Sequence, residues 1–176
     1  MLRSLAEEFK AHKVKAREGA KTPFRLHQRI TRPYSIFFSF LFVKCGISAN
    51  MVTLLSLLFA IIGSLLYLFN TPTFDILALV CFNLWYVMDC CDGEVARIKE
   101  ETSKFGVFLD QIMHVTSAPL MVLSITYHFY VIEDEIIFFV MGFLYISAVY
   151  IIQNLHMIIY YIWAGNNRIN KTNKKI

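Results

Sequence analysis

The feature that most constrains this chain is a series of long apolar runs that fills most of the sequence after Asn50. Four runs approach the roughly 20 residues that an α-helix needs to cross a lipid bilayer. They are Asn50 to Phe69, Phe74 to Cys91, Phe105 to Tyr127 and Ile136 to Trp163. Because hydrocarbon offers no partners to an open backbone, long unbroken runs of this kind are predicted to be helical. The sequence therefore predicts an all-α, polytopic membrane bundle of about four transmembrane helices.

The composition fits a chain whose main solvent is lipid. Of the 176 residues, 57% are hydrophobic and only 17% are charged, which is unlike a soluble globular domain. None of the four cysteines has the C-x-x-C spacing of a metal or redox site. The first 33 residues open with no apolar stretch, so no cleavable secretion signal is expected. We expect one membrane domain over residues 1–176, surrounded by membrane lipids and without a nucleic-acid partner.

The part of the chain before the first span divides into two segments. Residues 1–33 are charged and are predicted to form a basic cytosolic segment. The apolar run Tyr34 to Val43 is too short to cross a bilayer, and basic residues flank it. Pro33 suits the first position of a helix, so residues 34–44 are predicted to form an interfacial helix along the membrane surface. The transmembrane bundle then covers residues 50–163, and a basic cytosolic tail covers residues 164–176.

The distribution of basic residues predicts the orientation. Ten of the 17 lysines and arginines lie in residues 1–44, three lie between the second and third predicted spans, and four lie in the C-terminal tail. The two loops expected on the opposite side, residues 70–73 and 128–135, contain none. By the positive-inside rule, both termini and the middle loop are therefore expected to be cytosolic.

Three aspartates and one histidine fall within the second and third spans or close to their ends. Asp89 and Asp92 stand three residues apart, so their carboxylates project from nearly one helix face, and Asp110 and His114 are one turn apart on the next span. Carboxylates that share an intramembrane site need a compensating cation, and oxygen ligands favour a hard ion. This cluster predicts a Mg²⁺ (or Mn²⁺) site near the cytosolic surface. A helix cap paired with Arg97 is the alternative, but one arginine cannot neutralise three aspartates.

The residues between the two acidic pairs are small or suited to phosphate. Gly93 and Ala96 remove side-chain bulk beside the acids, and Gly106 does so on the third span. Arg97 offers a planar, forked donor that matches phosphate oxygens. A glycine alone is more often a packing contact, but the metal site, the small residues and the arginine together predict a bound diphosphate.

The same residues resemble the signature of the CDP-alcohol phosphotransferase family. DCCDGEVAR, eight further residues and GVFLDQIMH are similar to D-x-x-D-G-x-x-A-R followed by G-x-x-x-D-x-x-x-D, and only the last fixed position differs, with His114 in place of aspartate. SANMVT, residues 48–53, looks like the family's P-N-x-x-T element with Ala49 in place of proline. The resemblance covers roughly residues 33–127. Family members commonly have six spans where this chain has four predicted ones.

The resemblance implies a membrane enzyme that moves a substituted phosphate group from a CDP-alcohol to an acceptor hydroxyl and releases CMP, in phospholipid biosynthesis. It implies Asp89, Asp92 and Asp110 as ligands of the metal ion and His114 as the base that deprotonates the acceptor. The residues that it implies as contacts of the CDP-alcohol donor are Asn50, Thr53, Gly93, Ala96, Arg97 and Gly106. Either the donor or the acceptor would be a lipid, and a homodimer is compatible with the family.

The histidine at position 114 leaves three readings open. A neutral imidazole can accept a proton, so His114 can be a working base. Because its nitrogen suits Mg²⁺ less well than a carboxylate does, the number or kind of metal ions can instead differ. The third reading is a catalytically impaired member that serves as a nucleotide-binding or assembly subunit in the membrane. An ion transporter would explain the intramembrane acids but not the spacing of Gly, Ala and Arg.

The sequence does not identify the donor or the acceptor, because the signature recognises only the CDP part that all these substrates share. CDP-diacylglycerol with a small polar alcohol fits, and so does CDP-choline or CDP-ethanolamine with a lipid alcohol. We expect an active site that faces the cytosol of a bacterial or archaeal plasma membrane in preference to an organelle membrane.

Overall fold

The computed structural model describes residues 2–17, 26–152 and 154–155. All regular secondary structure in these residues is helical, which confirms the predicted all-α bundle. The helices are α1 (Leu2–Arg17), α2 (Leu26–Lys44), α3 (Ala49–Tyr67), α4 (Pro72–Lys99), α5 (Lys104–Glu133) and α6 (Ile137–Ile152).

Three of these helices, α3, α4 and α5, are long and apolar enough to cross a membrane. They correspond to the first three predicted spans, and together with the family assignment below they make this an integral membrane protein. Helix α4 continues beyond the predicted end at Cys91 to Lys99. The fourth predicted span, Ile136 to Trp163, begins with α6 and continues into residues outside the described ranges.

Among α1 to α5, the most extensive helix packing joins α3 and α4. A methyl group on Gly63 would lie 2.7 Å from ring atoms of Phe82 and 3.0 Å from the Cβ of Cys81, so the two helices approach each other where α3 has no side chain. At the other end of this pair, α2 packs on α4, and Phe42 of α2 joins a core shared with α3. The buried residues of this core are Phe42, Ala49, Val52, Val87, Met88, Cys91 and Val95.

The connection between α4 and α5 sets the level at which their side chains meet. Helix α4 ends at Lys99, where Glu100 takes a left-handed conformation with φ of 59°. Helix α5 then begins behind the N-cap Ser103, whose hydroxyl accepts a hydrogen bond from the Gly106 backbone N–H at 3.0 Å. Because this connection is so short, α5 turns back into the bundle, where it packs on α3 and brings His114 to Asp89 of α4.

The N-terminal part of the chain differs from the sequence-based expectation. Helix α2 begins at Leu26 and contains Pro33, whereas the sequence predicted a helix over residues 34–44 with Pro33 before it. Helix α1 was not predicted, because charge dominates the first 33 residues. Tyr34, Phe37 and Leu41 of α2 are exposed and form an apolar face turned away from the protein. The location of this face in the membrane interface stays a prediction.

Helix α5 contains a proline that changes its contact with α6. Pro119 has no backbone N–H, so the carbonyl of Val115, four residues earlier, loses its helical partner. The hydroxyl of Tyr150 on α6 donates a hydrogen bond to this carbonyl at 3.0 Å. The two helices also approach closely at Gly142, where a methyl group would lie 2.3 Å from Cγ2 of Thr126.

Candidate metal and nucleotide site

One turn of α4 and one turn of α5 bring two carboxylates and an imidazole together. Asp89, Asp110 and His114 each offer a ligand atom, and these atoms lie within 4.8 Å of one another. His114 Nε2 is 3.2 Å from Asp89 Oδ1 and 3.5 Å from Asp110 Oδ1. The predicted convergence of the two acidic helix faces is therefore seen for these three residues.

Asp92 belongs to the same acidic patch but has different immediate partners. The Thr53 hydroxyl donates a hydrogen bond to its Oδ2 at 2.9 Å, and the Gly93 backbone N–H donates to its Oδ1. A carboxylate has about four acceptor positions, so these two bonds leave others free. Asp92 is buried, and it interacts electrostatically with both Asp89 and Asp110. Its predicted role as a metal ligand stays a prediction.

A pocket opens beside the acidic patch, between α3, the end of α4 and the start of α5. It contains about 600 Å³ of empty space, part of which is open to solvent. All of the residues expected to contact the donor line it, namely Asn50, Thr53, Gly93, Ala96, Arg97 and Gly106. Asp92 and Asp110 line it as well, whereas Asp89 and His114 are not among its lining residues. The structure thus brings the residues expected to contact the donor to one pocket, and their binding roles stay a prediction.

The two signature glycines make room for neighbouring side chains. A methyl group on Gly93 would lie 3.2 Å from Arg97 Nη1. A methyl group on Gly106 would lie 3.2 Å from Asn50 Oδ1 and 3.3 Å from Ser103 Oγ. The sequence predicts that this space accommodates a bound diphosphate. In the structure the arginine and asparagine side chains use it, and both are directed along the pocket wall.

Arg97 is the only cation among the residues that line this pocket. Its Nη2 donates a hydrogen bond to the backbone carbonyl of Ala16 on α1 at 3.2 Å. Its Nε is buried and has no hydrogen-bond partner among the described residues. A guanidinium in a pocket wall can bind phosphate oxygens.

Behind Arg97 lies a buried charge that the sequence analysis missed. Glu94 is 1% exposed, and its Oε1 accepts a hydrogen bond from the Ser35 hydroxyl at 2.9 Å and lies 3.8 Å from Arg32 Nη1. Glu94 also interacts electrostatically with Arg97. Its position in the family signature accepts any residue, so only its proximity to the motif could have indicated a role.

On its other side, His114 faces an apolar cavity between α5 and α6. The cavity contains about 240 Å³ of empty space. Its other lining residues are Val115, Ala118, Pro119, Val122, Tyr145, Ile146, Val149 and Tyr150. The imidazole therefore lies between the acidic residues and a small gap with an apolar lining.

The donor atoms fit a divalent metal ion in type and spacing. Two carboxylates and a nitrogen within 4.8 Å of one another can share one ion at ligand distances of about 2.0 to 2.6 Å after small side-chain adjustments. Carboxylate oxygens favour Mg²⁺ or Mn²⁺, and the imidazole shifts this preference away from an all-oxygen Mg²⁺ site. The residues present thus fit a divalent cation.

The comparison with protein families agrees with the geometry of the site. The model of the CDP-alcohol phosphatidyltransferase family matches residues 46–175, which is most of the chain. The chain belongs to this family. The comparison with curated proteins returned no match. Members of the CDP-alcohol phosphatidyltransferase family act on CDP-alcohols and alcohol acceptors, often lipids, in phospholipid synthesis, and generally use a divalent metal ion. The earlier resemblance is confirmed at this level.

Proposed function

We propose that this chain transfers a substituted phosphate group from a CDP-alcohol to an acceptor hydroxyl and releases CMP. One observation carries the proposal. The acidic cluster of Asp89, Asp110 and His114 adjoins a pocket lined by every residue expected to contact the donor. Family membership supports the same class of reaction.

The donor diphosphate would bind at Arg97, because this arginine lines the pocket and its forked guanidinium matches phosphate oxygens. Asn50 would contact the nucleotide from the start of α3. Thr53 would orient the carboxylate of Asp92 through its hydrogen bond. The small residues Gly93, Ala96 and Gly106 would leave space in the pocket for the ligand.

The aspartates would hold the divalent ion close to the diphosphate. Asp89, Asp92 and Asp110 are the proposed ligands, and a bound Mg²⁺ or Mn²⁺ would supply charge neutralisation on the phosphate oxygens. The Thr53 hydroxyl and the Gly93 backbone N–H fix the orientation of one of these carboxylates.

His114 would accept the proton of the acceptor hydroxyl at Nε2. The hydroxyl oxygen would then attack the β-phosphorus, the bond between that phosphorus and the CMP oxygen would break, and CMP would leave with the bonding electrons. Family membership supports a lipid as one of the two substrates. We place the site at the cytosolic face, because the basic residues flank this end of the bundle.

A second candidate function is a nucleotide-binding or assembly subunit without turnover. It is favoured by the position of His114 Nε2 between the carboxylates of Asp89 and Asp110, at 3.2 Å and 3.5 Å. A protonated imidazole there would compensate the acidic pair in place of a metal ion. Such a protein would bind CDP and release no CMP.

The two candidates are separated by incubating the purified protein in nanodiscs with a panel of CDP-alcohols, acceptors and MgCl₂ and measuring CMP. Enzymatic function predicts CMP release with at least one pair of substrates. Asp110→Asn should abolish that release. Asp134→Asn is the matched control, because Asp134 caps α5 at its other end in a left-handed conformation with φ of 54° that asparagine tolerates. CDP binding without CMP release would favour the subunit.

A further inference from the structure

Helix α1 docks onto the bundle through one face. Glu8, His12 and Ala16 are spaced four residues apart, and Phe9 lies beside them on the same face. The rings of Phe9 and His12 each lie 5.3 Å from the ring of Phe40 in edge-to-face geometry. His12 Nε2 is hydrogen-bonded to the Ser39 hydroxyl at 2.9 Å.

The two ends of this contact are also tied. Glu8 forms an ion pair with Lys44 at the end of α2. At the other end, Ala16 is 0% exposed. Helix α1 is therefore held along the length of this face, and its last turn is fixed against α4.

The last turn of α1 supplies a hydrogen-bond acceptor for Arg97 of α4. The last four carbonyls of a helix have no intrahelical donor, and the helix dipole adds partial negative charge there. Ala16 is the last residue but one of α1, and its carbonyl accepts the hydrogen bond from Arg97 Nη2 at 3.2 Å. A guanidinium can donate a hydrogen bond to such a carbonyl, and its positive charge is attracted to the negative end of the helix dipole.

Without α1, the guanidinium of Arg97 would have a competing partner. Glu94 is buried on the α2 side, it attracts Arg97 electrostatically, and its Oε2 has no hydrogen-bond partner among the described residues. An arginine released by Ala16 would turn towards this oxygen and away from the pocket. The α1 carbonyl thus decides between two orientations of the same side chain.

We propose that α1 is a positioning element of the donor pocket, and that the Ala16 carbonyl holds the Arg97 guanidinium in the orientation that binds the diphosphate. The inference rests on the proposed function for the identity of the ligand. It goes beyond the family assignment, because α1 lies outside the matched residues 46–175. Ala16 acts through Arg97 and does not touch the ligand.

The test enlarges one alanine of α1 at a time in the full chain. Ala16→Leu places a larger side chain at a fully buried position and forces α1 away from α4. Ala11→Leu makes the same change on the same helix at an exposed position and is the matched control. With CDP and MgCl₂ as the probe, Ala16→Leu should raise the Kd about tenfold, as expected for the loss of a charge-assisted hydrogen bond. Ala11→Leu should stay within about twofold.

The same substitution in an Arg97→Ala background shows whether α1 acts through Arg97. Positioning predicts that Ala16→Leu then has no further effect on the Kd. The proposal would be overturned if Ala16→Leu left the Kd unchanged, if it raised the Kd tenfold in both backgrounds, or if Ala11→Leu raised the Kd equally. It would also be overturned if thermal unfolding showed that Ala16→Leu is not folded and Arg97→Ala left α1 undisturbed.

Hydrogen exchange gives a readout that does not depend on CDP. If the Arg97 guanidinium and the Ala16 carbonyl hold each other, Arg97→Ala should accelerate amide exchange in the last turn of α1 without ligand. If the parent protein binds no CDP, the proposed donor site is wrong. The exchange measurement would still test whether Ala16 and Arg97 hold each other. Equal exchange rates in parent and Arg97→Ala would overturn that link.

Discussion

At the scale of single residues, His114 is where this chain differs from its family signature. The imidazole contacts Asp89 and Asp110 on one side and an apolar cavity on the other. A side chain in this position can take a proton from a hydroxyl group that enters between the two regions. It can also act only as a counter-charge to the aspartates.

Substitution of His114 distinguishes these roles. His114→Ala should lower turnover by about 10² or more, the lower end for general-base catalysis. His114→Asp restores the signature and should keep or increase turnover with MgCl₂. Turnover is measured as CMP release at saturating donor and acceptor. If His114→Ala turned over as fast as the parent, the imidazole would be a packing residue and the proton would go elsewhere.

The residues that line the pocket could be predicted from the sequence for a physical reason. Gly93 and Arg97 lie one turn apart on one helix, with Asp92 next to Gly93, and helical spacing alone places such residues near one another. The Ala16 carbonyl could not be predicted, because a backbone atom has no residue-type signal and α1 is distant in sequence. Glu94 was missed because its burial depends on the packing of α2 against α4.

At the scale of secondary-structure elements, the contact of α1 with α2 depends on an uncharged histidine. Burial lowers the pKa of His12 below its ordinary value of 6.5. Above pH 6.5 the ring is neutral whether α1 is docked or detached, so proton binding does not affect docking. As the pH falls below 6.5, the detached helix binds a proton more readily than the docked one does, and docking weakens. The nearest charged groups on this contact, Glu8 and Lys44, pair with each other.

This linkage predicts faster amide exchange in α1 at pH 5.5 than at pH 7.5, after correction for intrinsic exchange rates. His12→Gln keeps a polar side chain that does not titrate and should remove the pH dependence. An identical pH response in His12→Gln would assign it to another group.

The packing of α3 on α4 gives a prediction on stability. Gly63→Ala should lower the free energy of unfolding by about 1–3 kcal/mol, because the new methyl group would lie 2.7 Å from the Phe82 ring. Phe82→Leu removes the ring and should recover part of this loss in the double variant. Unfolding in mixed micelles measures both, with Phe82→Leu alone as the reference. A double variant no more stable than Gly63→Ala would show that the ring is not the obstacle.

At the scale of the whole molecule, the sequence predicted about four spans, and α3, α4 and α5 correspond in order to the first three, because hydrocarbon permits few alternatives to a helix of sufficient length. It did not predict that α2 extends through Pro33 or that α4 continues through the signature to Lys99. Both differences occur where helices pack on one another near the polar end of the bundle. There tertiary contacts, and not lipid, determine where a helix ends.

The placement of the basic residues predicts that both termini and the loop after α4 lie in the cytosol. Reporter tags at each terminus, tested separately in intact cells, measure this. Both tags should be protected from an external protease. An externally accessible C-terminal tag would contradict four spans, and an externally accessible N-terminal tag would contradict the orientation of α3.

The proline in α5 has a consequence for the order in which the protein is assembled. During synthesis α5 enters the bilayer before α6, so the Val115 carbonyl lacks its partner in the folded protein until the Tyr150 hydroxyl arrives. An unpaired peptide carbonyl in lipid costs several kcal/mol. The nascent chain therefore gains this free energy only when α6 packs on α5 with Tyr150 beside Val115. The missing N–H of Pro119 thus favours one register of α6 against α5 in the last steps of folding.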